Sequence, residues 1–435
     1  MSNKKQIKLN AQLTGGLGVD SPGWRLAGQD AAAFMRIENY LKLGPILEQG
    51  MFDAFFIADT PAIISSIEKV PPYSGLDPIL ILTAMAQATQ HVGLVATLST
   101  SYNEAYNVAR KLRSLDLISG GRAGWNAVTT SNPHVHANFG GQKLSRSQKY
   151  ERAYEFVDAV QQLWSSWPAD ALLLDKENNR YADMEKIKEI DYQGKYVQTK
   201  GPILLPPSAQ GQPVVFSAGG GDEGLDIALR YGNAVYANPA TLVSAQRYWS
   251  YIKQRLKQYG TSSDDFTVFN GLIVTLGGTE KEAVNKRKEI DQLGPQGDRV
   301  QYLSYMLSLN LGMLDIDSPI PESFRKMMQP NPRDPRSVIA YEFANKGMSI
   351  REILARGPIN YHPVLVGTPE QVAEQIAKWH DADVGNGFSI LPDIGLETLH
   401  DFSKEVVPIL QKKGLVRTEY TGSTLRDNLG LKYRN

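Results

Sequence analysis

The sequence predicts an α/β fold in which a parallel sheet closes on itself as a (β/α)8 TIM barrel. Three observations carry that expectation. Eight short runs rich in β-branched and aromatic residues recur along the 435-residue chain and end in small polar residues. Amphipathic helical patterns separate them. The runs are also apolar almost throughout, as strands are when both faces of a sheet are covered. An open doubly wound sheet is the rival, and it normally carries a Gly-x-Gly-x-x-Gly turn after its first strand. The nearest stretch here, "TGGLG" at 14–18, is followed by no helical pattern.

In chain order the runs are "KQIKLNAQL" (5–13), "FDAFFIADT" (52–60), "HVGLVATLST" (91–100) and "RAGWNAVTT" (122–130). They continue with "QPVVFSAG" (212–219), "NAVYANP" (233–239), "FTVFNGLIVTLG" (266–277) and "GFSILPD" (387–393). Between them lie helical stretches such as "YLKLGPILEQG", "AYNVARKLRSLDLISGG" and "TPEQVAEQIAKWHDA". Two such stretches end in glycine, a frequent helix terminator. The whole chain, 1–435, reads as one barrel domain with two interruptions. Residues 168–211 form a charged, then Pro- and Gly-rich excursion. Residues 281–362 form a longer helical insertion between the seventh and eighth runs, placed to act either as a lid over the mouth or as a dimerisation element. Within it Tyr305, Met306, Leu309 and Met313 recur at helical spacing, a stripe expected to pack the insertion onto the barrel.

Composition narrows the function. The 46 basic and 46 acidic residues cancel, so no broad attraction to nucleic acid or an anionic membrane is expected. The N-terminus lacks an apolar core of signal-peptide length, and the longest apolar run, "PILILTAMA", is too short to span a bilayer. A cytoplasmic protein is the expectation. Zero cysteines removes disulfides, thiolate metal sites and cysteine nucleophiles together.

Chemistry in such a barrel sits at the carboxyl ends of the strands. Asn126 falls inside the fourth run with Trp125 and Ala127 on the opposite face. A buried amide needs partners, from a ligand or from neighbouring backbone. Asp59 ends the second run and Thr97 lies near the end of the third, so all three project polar groups toward one mouth, unless they only cap the loops that follow. Arg122 and Trp125 read as structural, a strand-start charge and a packing ring. After the fifth run, Gly219, Gly220 and Gly221 precede a helix, an arrangement that offers backbone N–H groups and a positive dipole end to a phosphate, or simply makes a tight turn. His134 and His136 would share one face of an extended segment and could ligate a metal. A metal-dependent barrel hydrolase is therefore an alternative, although no partnering Asp/His cluster accompanies them.

The chain as a whole resembles the bacterial luciferase-like flavin monooxygenases, in the branch of nitrilotriacetate, dibenzothiophene-sulfone and long-chain alkane monooxygenases. The likeness rests on "GWR" (23–25), "FDAFFIAD" (52–59), "SLDLISGGRAGWNAVTT" (114–130) and "YERAYEFVDAVQQLWSSW" (150–167). It continues through "YQGKYVQTKGPI" (192–203), "QPVVFSAGGG" (212–221), "VGTPEQVAEQIAKW" (366–379) and "VVPILQKKGLVRTEYTGSTLRDNLGL" (406–431). The resemblance implies a barrel that receives FMN as FMNH2 from a separate NAD(P)H:flavin reductase and reacts it with O2. A C4a-peroxyflavin would then oxygenate a small polar substrate, with cleavage of a C–S or C–N bond. Asp59, Thr97 and Asn126 match flavin-lining positions, Tyr150 a phosphate-holding tyrosine, and Gly220 and Gly221 the family's phosphate turn. Two departures stand out. Arg146 replaces the histidine many relatives carry, a change an arginine fork can accommodate, and the turn lacks the relatives' serine. His362 and His134 match positions near the active site, as candidates for acid/base work or substrate contact. Arg25, Asn103 and His136 would join them at the mouth, a set suited to a carboxylated substrate. A homodimer or homotetramer is implied. A flavin carrier without oxygenase activity and a deazaflavin enzyme of the same superfamily are further alternatives; the C-terminal "TEYTGSTLRDNLGL" speaks against the latter.

Overall fold

The structure, a computed structural model, describes residues 5–14, 18, 19, 21–141, 143–218 and 221–434. The eight runs form the eight staves of a closed parallel barrel. They are β1 (Lys8–Leu13), β2 (Ala54–Ile57), β3 (Gly93–Ser99) and β4 (Ala123–Val128). Two small antiparallel hairpins follow, β5 (Leu172–Asp175) with β6 (Arg180–Ala182) and β7 (Tyr192–Gln193) with β8 (Gln198–Thr199), and both lie in the 168–211 excursion. The barrel resumes with β9 (Val214–Ser217), β10 (Ala234–Ala237), β11 (Thr267–Leu276) and β13 (Gly387–Pro392), after a short β12 (Val364–Gly367). Parallel pairing runs from β1 through β2, β3, β4, β9, β10, β11 and β13 back to β1.

β12 was not among the eight runs. It pairs with Ile273–Leu276, the second half of the ten-residue β11, while the first half of β11 closes the barrel against β10. One long strand thus serves two neighbours in succession.

Alternation decides what each face does. Trp125 and Ala127 point outward into the helix layer, where the Trp125 ring meets Phe156 and Trp164 and its indole N–H donates to the Leu98 carbonyl at 3.1 Å. Asn126 points inward. Arg122 is structural in a specific way. Its buried guanidinium donates to the carbonyls of Ala86, Thr89 and Val92, and its Nε to that of Ser119, tying off the loop beneath β3.

The lower end of the barrel is filled by the chain's own C-terminus. Leu425, Leu429 and Leu431 insert among Ala54, Val95, Phe216 and Phe269 from the strands. Two glycines make room. A Cβ on Gly93 would stand 2.4 Å from Leu425 Cδ1, and one on Gly124 3.2 Å from its Cδ2. The plug is held by a buried Arg417–Asp53 ion pair and by Arg426, whose guanidinium donates to the Gln212 carbonyl at 3.0 Å.

The 281–362 insertion has a core of its own, in which Leu303, Met306, Leu307, Leu311, Ala340 and Ile353 pack together. The expected stripe does not pack onto the barrel. The helix ends at Met306, Tyr305 is 46% and Met313 72% exposed, and buried Met306 packs within the insertion rather than onto the barrel. Helical spacing marks an apolar face without saying which surface covers it.

Candidate active site

A cavity of about 1020 Å³ opens at the carboxyl ends of the strands, and every stave contributes to it. Gln12 comes from β1, Asp59 follows β2, Thr97 lies on β3 and Asn126 on β4. Ala218 follows β9, Tyr236 and Asn238 come from β10 and its end, Ile273 from β11 and Leu391 from β13. Inward residues of parallel staves reach a common level, so one polar side chain per strand suffices to line a site.

Thr97 and Asn126 stand opposite each other in register, and the Asn126 amide donates to Thr97 Oγ1 at 2.9 Å. That bond aims the other half of the amide. Asn126 Oδ1 is buried and has no protein partner, and the same holds for Oδ1 of Asn238 and of Asn360 on the same cavity wall. Unmatched buried acceptors are costly. Three around one cavity fit a ligand that presents N–H groups, as the ring system of a flavin does.

Asp59, half-buried, carries the cavity lining's one carboxylate among the described residues, and burial raises its pKa. His362 sits at the end of the insertion, on the cavity wall. The Tyr236 hydroxyl hydrogen-bonds its Nε2, and burial pushes the imidazole down to about 4. A neutral imidazole has one N–H and one acceptor nitrogen, so the tautomer sets whether Nε2 accepts from the phenol or donates to it. Gly271 on β11 makes that pairing possible, because a Cβ there would lie 2.4 Å from the Tyr236 hydroxyl and 2.6 Å from His362 Cδ2.

Arg146, Tyr150 and Gly221 come together outside that lining. Arg146 opens the Arg146–Ser165 helix, and its guanidinium lies 5.9 Å from the Tyr150 ring centre. Gly221 caps the Asp222–Tyr231 helix, with a Cβ position only 2.9 Å from Arg146 Nη2. The guanidinium is engaged by Glu223 at 3.0 Å, whose carboxyl is held below its usual range first by its own backbone N–H and then by Arg146. A carboxylate thus already occupies the anion-favouring end of this helix. Gly219 and Gly220 lie outside the described residues. Ala218, the last described residue before them, lines the cavity.

The mouth differs from expectation at several positions. His134 and His136 lie on a helix, Pro133–Phe139, rather than in an extended segment, so two residues apart they face different ways. Asn132 accepts from the His134 backbone N–H, and Pro133 supplies the first turn, which starts the helix. His134 is exposed, His136 leans on Tyr102, and neither lines the cavity. Arg25 donates to the Leu293 carbonyl, and Asn103 to that of Ser99 at 2.8 Å. Of the five mouth residues expected, His362 alone reaches the cavity wall. Sequence reasoning passed over Gln12, Asn238, Asn360 and the tyrosines 73, 236 and 361. A signal existed for Gln12, which with Lys8 and Asn10 makes a polar alternation along β1.

Fold and site together define a closed parallel barrel with a large cavity at the carboxyl ends of its strands. The chain belongs to the luciferase-like monooxygenase family, whose model matches residues 18–385. It is a flavin-dependent monooxygenase. It is 35% identical to N-acetyl-S-(2-succino)cysteine monooxygenase of Bacillus subtilis (strain 168), over 99% of this chain and 98% of that one. To nitrilotriacetate monooxygenase component A of Aminobacter aminovorans it is 36% identical, over 95% and 94%. The EDTA monooxygenase structure from Chelativorans sp. BNC1 superposes with a TM-score of 0.84 at 31% identity, covering 99% of both chains. These likenesses favour neither a hydrolase nor a flavin carrier. Among the described residues no helix is long and apolar enough to cross a membrane.

Proposed function

We propose that the protein is the oxygenase half of a two-component system, which takes FMNH2 from a separate NAD(P)H:flavin reductase and inserts one atom of O2 into a small organic molecule, with cleavage of a C–S or C–N bond. The observation that carries this reading is the set of unpartnered amide oxygens on Asn126, Asn238 and Asn360 around one cavity. The "component A" in one relative's name supports the reductase partner.

Reduced FMN, when bound, supplies the electrons that activate dioxygen. The protein's own residues bind, orient and exclude water. Asn126 Oδ1 would accept from the flavin ring, held in place by its bond to Thr97. Arg146, Tyr150 and the amide of Gly221 would hold the phosphate once Glu223 gives way. His362, kept neutral by burial, and the Tyr236 hydroxyl it pairs with would offer substrate hydrogen-bonding groups. The insertion that delivers Asn360 and His362 would shield the cavity from solvent, which matters because water diverts activated oxygen to free peroxide.

The test is turnover with a generic flavin reductase, NADH and O2 on a panel of sulfur and nitrogen compounds, scored by oxygenated product. Saturable anaerobic binding of reduced FMN together with product from at least one compound is expected. Failure to bind reduced FMN would refute the reading.

A further inference from the structure

The cavity's charge inventory bears on what enters it. Among the described residues its lining contains no lysine and no arginine. Residues 15–17, 20, 219 and 220, which follow β1 and β9, include none either. Among the described residues Asp59 is the lining's one carboxylate, and His362 is kept neutral by burial. Two guanidinium groups outside that lining, Arg25 and Arg336, are committed elsewhere. Arg25 is held by the Leu293 carbonyl. Arg336 is paired with Asp334 at 2.7 Å and donates to the Ile359 and Asn360 carbonyls at 3.3 and 2.8 Å, behind the segment that carries His362.

The lining carries a group of partly exposed apolar side chains instead. Ile64, Pro71, Pro72 and Tyr73, from the loop after β2, line the cavity together with Tyr361. Ile64 is 40%, Tyr73 41% and Tyr361 73% exposed, although each has a large apolar surface. Exposed apolar side chains gathered in a cavity lining mark a binding surface.

From these two observations we infer that the site selects an uncharged substrate with an apolar body, seated between the 60–73 loop and Tyr361, and discriminates against carboxylates. This inference rests on the monooxygenase reading and refines it. An anionic group entering here would give up its hydration, meet no cation and approach Asp59, so burial would disfavour it. An apolar body would instead displace water from Ile64, the two prolines and the tyrosine faces. The inference departs from the expectation of a carboxylated substrate, which rested on Arg25, Asn103, His134, His136 and His362, of which His362 alone lines the cavity.

The experiment uses the full-length protein loaded anaerobically with reduced FMN and titrated calorimetrically at pH 7.5 with matched pairs: (phenylthio)acetate against its N-methylamide, and hexanoate against hexanamide. The neutral member of each pair is expected to bind at least about tenfold more tightly. Ile64→Arg, at an exposed position, should raise the affinity of the acids and narrow that gap. Equal affinities, tighter binding of the acids, uptake of neither member, or an Ile64→Arg variant with unaltered preference would each overturn the inference. The flavin titration made in the same cell separates the two ideas. Absence of FMNH2 binding removes the monooxygenase reading itself, whereas normal flavin binding with a preference for acids removes the substrate assignment alone.

Discussion

Arg146 illustrates how one side chain can be claimed by two partners. Its ion pair with Glu223 is exposed on both sides, 69% and 42%, so water and salt screen it and it holds the guanidinium only weakly. A phosphate at the same helix end would offer more charge and more acceptor oxygens. Arg146→Ala is therefore expected to weaken reduced-FMN binding by about tenfold, whereas Glu223→Gln should strengthen it, both read by anaerobic fluorescence titration. Unchanged affinity in both variants would take this pair out of the flavin site. His362 makes a separate prediction through pH. Its folded-state value, about 4, lies below the 6.5 of a free imidazole, so between those values the unfolded chain binds the extra proton. The contribution is complete above pH 6.5 and is lost as pH falls toward 4, amounting to roughly 3 kcal/mol. In urea melts at pH 7.5 and 4.5, His362→Gln should gain on the wild type by roughly 2 kcal/mol at the lower pH. Comparing the two proteins at each pH cancels the buried Asp116, whose carboxyl is pushed up to about 6 by burial and acts in the opposite sense. A gap that does not move with pH would mean that His362 is not held neutral.

The barrel strands follow from local pattern, because each is a short apolar run whose neighbours on both faces are apolar. Their polar inward residues are the informative exceptions. Asn10 on β1 donates to Ser389 Oγ on β13 at 2.7 Å, which lets two polar groups share a buried level of the barrel. The C-terminal helix Leu425–Leu429 is different, since five residues have too little intrinsic stability to fold alone. It exists because Thr424 caps it and because the barrel floor receives its leucines. Leu425 is fully buried, so Leu425→Ala should destabilise the protein by about 2–5 kcal/mol in chemical denaturation. A loss below 1 kcal/mol would show that the plug is dispensable. The expected helix at 105–121 is observed as Ala105–Ile118, followed by Gly120 and Gly121 with positive φ of 68° and 92°. There the glycines of the sequence stand where the chain must turn back into β4.

At the scale of the whole molecule, the insertion is the part whose function depends on how it sits. It has its own core, yet its last residues, Asn360, Tyr361 and His362, belong to the cavity wall. Replacing residues 296–345 by a short Gly/Ser linker should raise hydrogen peroxide released per NADH consumed at least severalfold relative to product. A variant that remains as well coupled as the wild type would remove the lid role. The sequence by itself determined the eight staves, their order and the inward direction of Asp59, Thr97 and Asn126. Period-two alternation and apolar runs are local properties that survive in a single string. Only the tertiary structure decided which residues meet at the mouth. It set Tyr236 against His362, 126 positions apart, and plugged the floor with the C-terminus. It turned the histidines at 134 and 136 away on a short helix. Those outcomes depend on closure of the barrel, which brings together side chains from distant strands and loops. The spacing of residues along the chain carries no record of that distance.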